Sequence, residues 1–170
     1  MTGAHDPLRF YAVWVLDLDT LDVEEIANAL ADQTDYDHRW LIDPRTGEVV
    51  FWTSDLGVDG ENPVELDELD LILIEPLPSY IWYQDMVDFA DGISDRGVGE
   101  RLRRSLEGKG AFRRFKNELY QRHPELISAW HAMRDARARV RAVQWLADEG
   151  LIVEDAAQRF RQDHREPSLP

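Results

Sequence analysis

Apolar positions change their rhythm near the middle of this chain. Before Pro78 they fall in short, dense runs; after Ser79 they recur every three or four residues. The first run, Phe10–Leu16, is β-branched and aromatic and predicts a strand. Asp22 or Thr20 then caps a helix whose first turn carries Glu24 and Glu25, both suited to its positive end. Ile26, Ala29 and Leu30 give that helix an apolar stripe, and it should end near Gln33. The segments His38–Ile42 and Glu48–Trp52 flank Asp43-Pro44-Arg45-Thr46-Gly47. Proline presets the turn, aspartate bonds back to the turn backbone, and glycine accepts the left-handed position, so these residues predict a β-hairpin. An acidic loop over 55–69, with Gly57, Gly60 and Pro63, precedes Leu71–Ile74, a short buried strand closed by Pro76 and Pro78.

From Ser79, a candidate cap, the pattern is helical. Trp82, Met86, Phe89 and Ile93 form one face, with a break expected at Gly97 and Gly99. Leu102 and Leu106 mark a short helix. Gly108 and Gly110 break the chain again before a helix striped by Phe112, Phe115 and Leu119. Pro124 suits the first turn of a long helix that buries Leu126, Trp130, Met133, Val140, Val143 and Leu146 and ends at Gly150. The expected fold class is α+β: an acidic helix-plus-antiparallel-sheet unit with a β-hairpin over residues 1–78, packed on a helical bundle over 79–158. A polar, frayed tail over 159–170 completes a single cooperative domain.

Composition narrows the classes. The 170 residues are 44% hydrophobic and include 6 Trp, enough for a packed core, and no Cys, which excludes disulfides and thiolate zinc sites. No apolar stretch approaches the roughly 20 residues that span a bilayer, and no signal peptide is recognisable, so a cytoplasmic, bacterial protein without a membrane partner is expected. The net charge of -15 is uneven. Residues 1–100 hold 24 Asp/Glu and 4 Lys/Arg, net -20; residues 101–170 hold 10 and 15, net +5. Such a balance argues against bulk nucleic-acid binding and leaves one basic region for an anionic partner.

That region centres on Gly108-Lys109-Gly110-Ala111-Phe112-Arg113-Arg114-Phe115-Lys116. Two glycines ahead of a helix leave backbone N–H groups near its positive end, and Lys109, Arg113, Arg114 and Lys116 add cations, so the expected ligand-binding residues are Gly108, Lys109, Gly110, Arg113, Arg114 and Lys116. The segment is not a P-loop, since no Ser/Thr follows the lysine at the required spacing. The other reading is a tight interhelical turn, with Phe112 and Phe115 in the core and the cations paired to carboxylates of the acidic half. Arg134, Arg137 and Arg141 share one side of the long helix and read as its solvated face. Asp17, Asp19 and Asp22 read as helix caps, because the calcium-loop pattern is missing. His123 and His131 lack zinc-ligand spacing, no Ser sits in a nucleophile elbow, and Trp40, Trp52 and Trp82 read as core. No catalytic residue, metal or cofactor is expected.

Order and spacing bring in a family. Trp40-Leu-Ile-Asp-Pro-Arg-Thr-Gly-Glu-Val-Val50, Tyr83-Gln-Asp-Met86 with Phe89, the Gly108–Lys116 segment, Trp130 and Trp145-Leu146 together resemble the uncharacterised bacterial family UPF0158, from about Val23 to Leu151. The resemblance implies a shared fold and no reaction. The residues themselves point to a non-enzymatic cytoplasmic binding protein whose partner is a phosphate-bearing molecule or an acidic protein surface. An enzyme acting on a phosphorylated or anionic substrate, and an acidic nucleic-acid mimic directed at a basic protein, are the alternatives.

Overall fold

The computed structural model describes residues 15–34 and 37–170. Phe10–Trp14, most of the first expected strand, lies outside the described residues. Val15 and Leu16, which are described, are not in a strand; the Leu16 N–H donates to the Leu151 carbonyl at 2.7 Å. The fold is α+β, with six α-helices and one three-stranded antiparallel sheet among the described residues. Its contacts divide it into two units. One takes the chain up to Pro76 together with Arg139–Asp163; the other takes Leu77–Ala138 and His164–Pro170.

In the first unit, α1 (Val23–Ala31) starts where the Asp22 side chain accepts the Glu25 N–H at 3.0 Å. Its stripe of Ile26, Ala29 and Leu30 is buried. Strands β1 (His38–Ile42) and β2 (Val49–Thr53) form the hairpin, and β3 (Ile72–Ile74) pairs on the other side of β1. Trp40 stands opposite both Phe51 and Ile74 in register. The Trp40 and Phe51 rings lie 4.9 Å apart, the kind of cross-strand aromatic pair that fixes register. Asp32 ties the end of α1 to the hairpin. Its carboxylate accepts the Thr34 N–H and hydroxyl, the Trp40 indole N–H at 2.8 Å, and pairs with His38 Nε2 at 2.8 Å. Burial favours the protonated acid, but the hydrogen bonds from Thr34, Trp40 and His38 outweigh it and hold this carboxyl far below its ordinary value. In the same unit α6 (Glu154–Asp163) buries Ala157 completely, and Arg139 pairs with Glu24.

The second unit contains α2 (Ser79–Gly92), α3 (Arg96–Ser105), α4 (Ala111–Arg122) and the first part of α5 (Ile127–Asp148). Met86, Phe89, Leu102, Leu106, Phe115, Leu119, Trp130 and Met133 make its core. Phe89, Phe115 and Trp130 meet edge to face, with centroids 5.1–6.3 Å apart.

Four expectations need correction. The break between α2 and α3 falls at Ile93–Asp95, where the Asp95 carboxylate accepts the Val98 N–H at 3.2 Å. Helix α3 runs through both Gly97 and Gly99, and Gly99 is required because a Cβ there would stand 2.7 Å from the Ala90 carbonyl oxygen. Phe112 is 47% exposed; Ala111, one residue earlier, takes the buried place beside Phe115 and Leu119. Arg137 is not on a wet face, being bound to Asp85 at 3.1 Å and Asp88 at 2.6 Å. The expected frayed tail from 159 is helical to Asp163, because Ala157 and the neighbouring Phe160 supply a narrow apolar stripe among charged residues.

The Asp32 carboxyl has a lower pKa folded than unfolded, so its contribution is present above about pH 4 and is lost as pH falls toward the folded value. Asp32→Asn is expected to cost about 2 kcal/mol at pH 7. Denaturant midpoints at pH 7 and pH 3 check this: the gap between wild type and variant should narrow in acid.

Candidate functional site: the α3–α4 arginine groove

The segment Arg96–Arg122, which holds α3, α4 and their turn, carries nine Lys/Arg against three Asp/Glu, a net of +6; the rest of the chain is -21. The two helices pair because each offers an apolar edge to the core: Leu102 and Leu106 from α3 and its cap, Ala111, Phe115 and Leu119 from α4. Residues flanking those edges line the surface seam between the helices.

The turn is closed by Arg114. Its Nε donates to the Ser105 carbonyl at 3.0 Å, and its two terminal nitrogens donate to the carbonyls of Glu107 and Lys109. A helix end leaves carbonyl groups without intrahelical partners and carries partial negative charge, so a cation with a rigid fork of donors suits it. Gly108 and Gly110, at φ +73° and +76°, give the backbone the left-handed bends that turn these carbonyls toward one guanidinium. A Cβ on Gly110 would also stand 3.4 Å from the guanidinium nitrogen. The glycines and Arg114 thus form one device.

The other expected residues are disposed differently. Lys109, Arg113 and Lys116 are exposed, and Arg113 has no ion-pair or hydrogen-bond partner among the described residues. The Lys116 ammonium lies 5.8 Å from the Tyr120 ring centroid. None of the three lines the seam. The seam is an open groove of about 530 Å³ lined by Arg101, Arg104 and Ser105 of α3 and by Arg114, Asn117, Glu118, Gln121 and Arg122 of α4. Arg101, Arg104, Asn117, Gln121 and Arg122 were not among the residues singled out from the sequence. The available signal was the Arg101-x-x-Arg104 spacing, which puts two cations beside Leu102 on one helix, facing the Asn117-x-x-x-Gln121 edge of the next.

The groove has one carboxylate, and it is engaged: Glu118 lies 3.2 Å from buried His123 Nε2 and 3.6 Å from Arg122 Nε. The Ser105 hydroxyl donates to the Leu102 carbonyl. What faces outward is a set of guanidinium and carboxamide donors, whose chemistry is to surround anionic oxygens. Among the described residues no three His, Asp or Glu side chains converge as a metal site, and no helix is long and apolar enough to cross a membrane.

Comparison with known proteins gives a family. Residues 18–164 match the description "Uncharacterised protein family (UPF0158)". The chain belongs to the UPF0158 family. It is similar to a UPF0158 protein of Pseudomonas aeruginosa, 30% identical over 138 residues that cover 78% of this chain and 84% of the relative. No solved structure matches it significantly. The family match takes in all of α3, the glycine turn and α4, and stops before Arg165.

Arg114→Ala is expected to lower stability by about 1–2 kcal/mol, since three carbonyls lose a charged donor. Arg113→Ala should change it by under about 0.5 kcal/mol, as exposed substitutions away from such contacts do. Thermal melts of the two single variants decide between these roles.

Proposed function

We propose that this protein is a non-enzymatic binding protein that takes up an anionic, phosphate-bearing ligand in the α3–α4 arginine groove. The observation that carries the reading is the convergence of Arg101, Arg104, Arg114 and Arg122 on one groove whose only carboxylate among the described residues is already held by His123 and Arg122. Arg114 contributes its field while its donors hold the turn. Arg101, Arg104 and Arg122 supply charged hydrogen bonds, Asn117 and Gln121 supply neutral ones, and Lys109, Arg113 and Lys116 form an outer ring of positive charge.

The groove's length favours a ligand with more than one anionic group. Arg114 and Arg122 are eight residues apart on α4, about 12 Å along its axis. A single phosphate reaches only part of that span. A net positive charge concentrated in one helix pair of an acidic chain also favours a short ligand over a long duplex.

Inorganic tripolyphosphate is the test ligand. Calorimetric titration of the wild-type chain should show binding that weakens with added salt, because the groove is open and screened. Arg101→Ala/Arg104→Ala should weaken it by about tenfold or more while the circular dichroism spectrum is unchanged, each charged hydrogen bond contributing about 1.5–3 kcal/mol. Arg113→Ala/Lys116→Ala should cost less than about threefold, the share of exposed charges outside the groove. Equal affinity in wild type and the Arg101/Arg104 variant removes the groove as the site.

A further inference from the structure

The closing residues of the sequence show a second binding feature, independent of the arginine groove. His164–Pro170 belong to the same unit as α2 and the first part of α5. They are held at three points. Glu166 receives Arg137 Nε at 2.6 Å and Arg137 Nη2 at 3.4 Å. Leu169 packs against the core cluster that contains Phe89, Ile93 and Leu102. The Pro170 carbonyl accepts the Ser94 N–H at 2.9 Å.

Each point is prepared by the receiving surface. Arg137 is positioned by Asp85, which is almost wholly buried, and by Asp88, so its remaining donors point at a third carboxylate without a search. The helix α2 ends at Gly92, and a Cβ on Gly92 would stand 2.5 Å from Leu169 Cδ1 and meets no other atom within 4 Å apart from Leu169 Cγ. The missing methyl group is therefore space used by Leu169 alone. Past the end of α2 the chain is extended at Ile93, which leaves the Ser94 N–H to pair with a backbone carbonyl. A carboxylate, a leucine three residues later and a backbone carbonyl after it are what this surface reads.

The receiving residues Asp85, Asp88, Gly92, Ser94 and Arg137 all lie inside the stretch matched to the family, whereas Glu166, Leu169 and Pro170 lie beyond it. The receiving residues and their occupant thus fall on opposite sides of the boundary of the matched stretch. The occupant is also open to water at both contacts: Glu166 is 46% exposed and Leu169 is only partly buried.

We infer that the corner formed by the end of α2, Ser94 and Arg137 is a peptide-binding slot for an extended segment of another protein carrying an acidic residue three positions before a leucine. The chain's own residues 166–170 occupy this slot as a tethered competitor. Tethering sets an effective concentration on the order of millimolar, enough to mask a weak external peptide and too little to exclude a better one.

The test uses the full-length chain and a fluorescent, acetylated peptide of residues 165–170, read by polarisation. Wild type should bind weakly. Leu169→Ser, which releases the tethered leucine, should bind at least about tenfold more tightly. Adding Gly92→Ala to Leu169→Ser should reduce that gain, because the new methyl takes part of the leucine space and the leucine end must shift; at the end of a helix this change favours folding. A peptide with serine in place of its leucine should bind none of the proteins. If Leu169→Ser does not fold, Glu166→Ala frees the segment through its exposed end and should give the same ordering. Failure of the peptide to bind the released chain, or binding that ignores Gly92→Ala, overturns the proposal.

Discussion

Arg114 donates to the carbonyls of Ser105, Glu107 and Lys109, and that grip closes the turn from which α3 and α4 pair. A turn of five residues with two left-handed glycines costs backbone entropy and leaves carbonyls without helical partners. One guanidinium offsets both by bonding three of them at once. The seam between the helices exists because the turn is this tight, and Arg101, Arg104 and Arg122 are neighbours because the seam exists. The same side chain that anchors the scaffold therefore determines where the remaining cations meet.

Arg137 plays the parallel part elsewhere in the same unit. It is buried enough that desolvation opposes its charge, yet Glu166, Asp88 and Asp85 outweigh that effect and keep its pKa above the ordinary arginine value. Removing the cation would leave Asp85, nearly inaccessible to water, without its positive partner. Both arginines act through several acceptors at once, which a lysine's compact ammonium matches poorly. They divide the labour: Arg114 is spent on backbone, and Arg137 holds one position for a carboxylate that comes from far along the chain.

Much of the fold was legible from local chemistry. The hairpin could be read because Asp43, Pro44 and Gly47 each act within a few residues, and α1 because Asp22 and its apolar stripe are adjacent in sequence. The core of α4 was half legible: Phe115 and Leu119 are buried, but Phe112 and Ala111 exchange places, since a stripe read by residue size favours the larger side chain while the tight turn admits only the smaller. The roles of Arg114 and Arg137 were hidden for different reasons. Backbone carbonyls do not show in an inventory of side chains, so Arg114 read as a free cation. Arg137 finds its partners 52, 49 and 29 residues away, a distance no periodicity argument spans. The groove was missed because its arginines sit on two helices, and only their pairing makes four scattered cations one surface.

Charge then sets what such a surface can receive. At physiological ionic strength fields fade over about 8 Å, so an approaching anion senses the α3–α4 pair only when it is close and otherwise meets an acidic chain. Selection of this kind acts on size as well as on sign. Under the proposed reading, a ligand of two or three anionic groups would fill the row of guanidinium groups, and further anionic groups would find no added partner there. On that same reading, the acidity of the remaining chain, which in isolation reads as a solubility feature, would act as a filter against long polyanions.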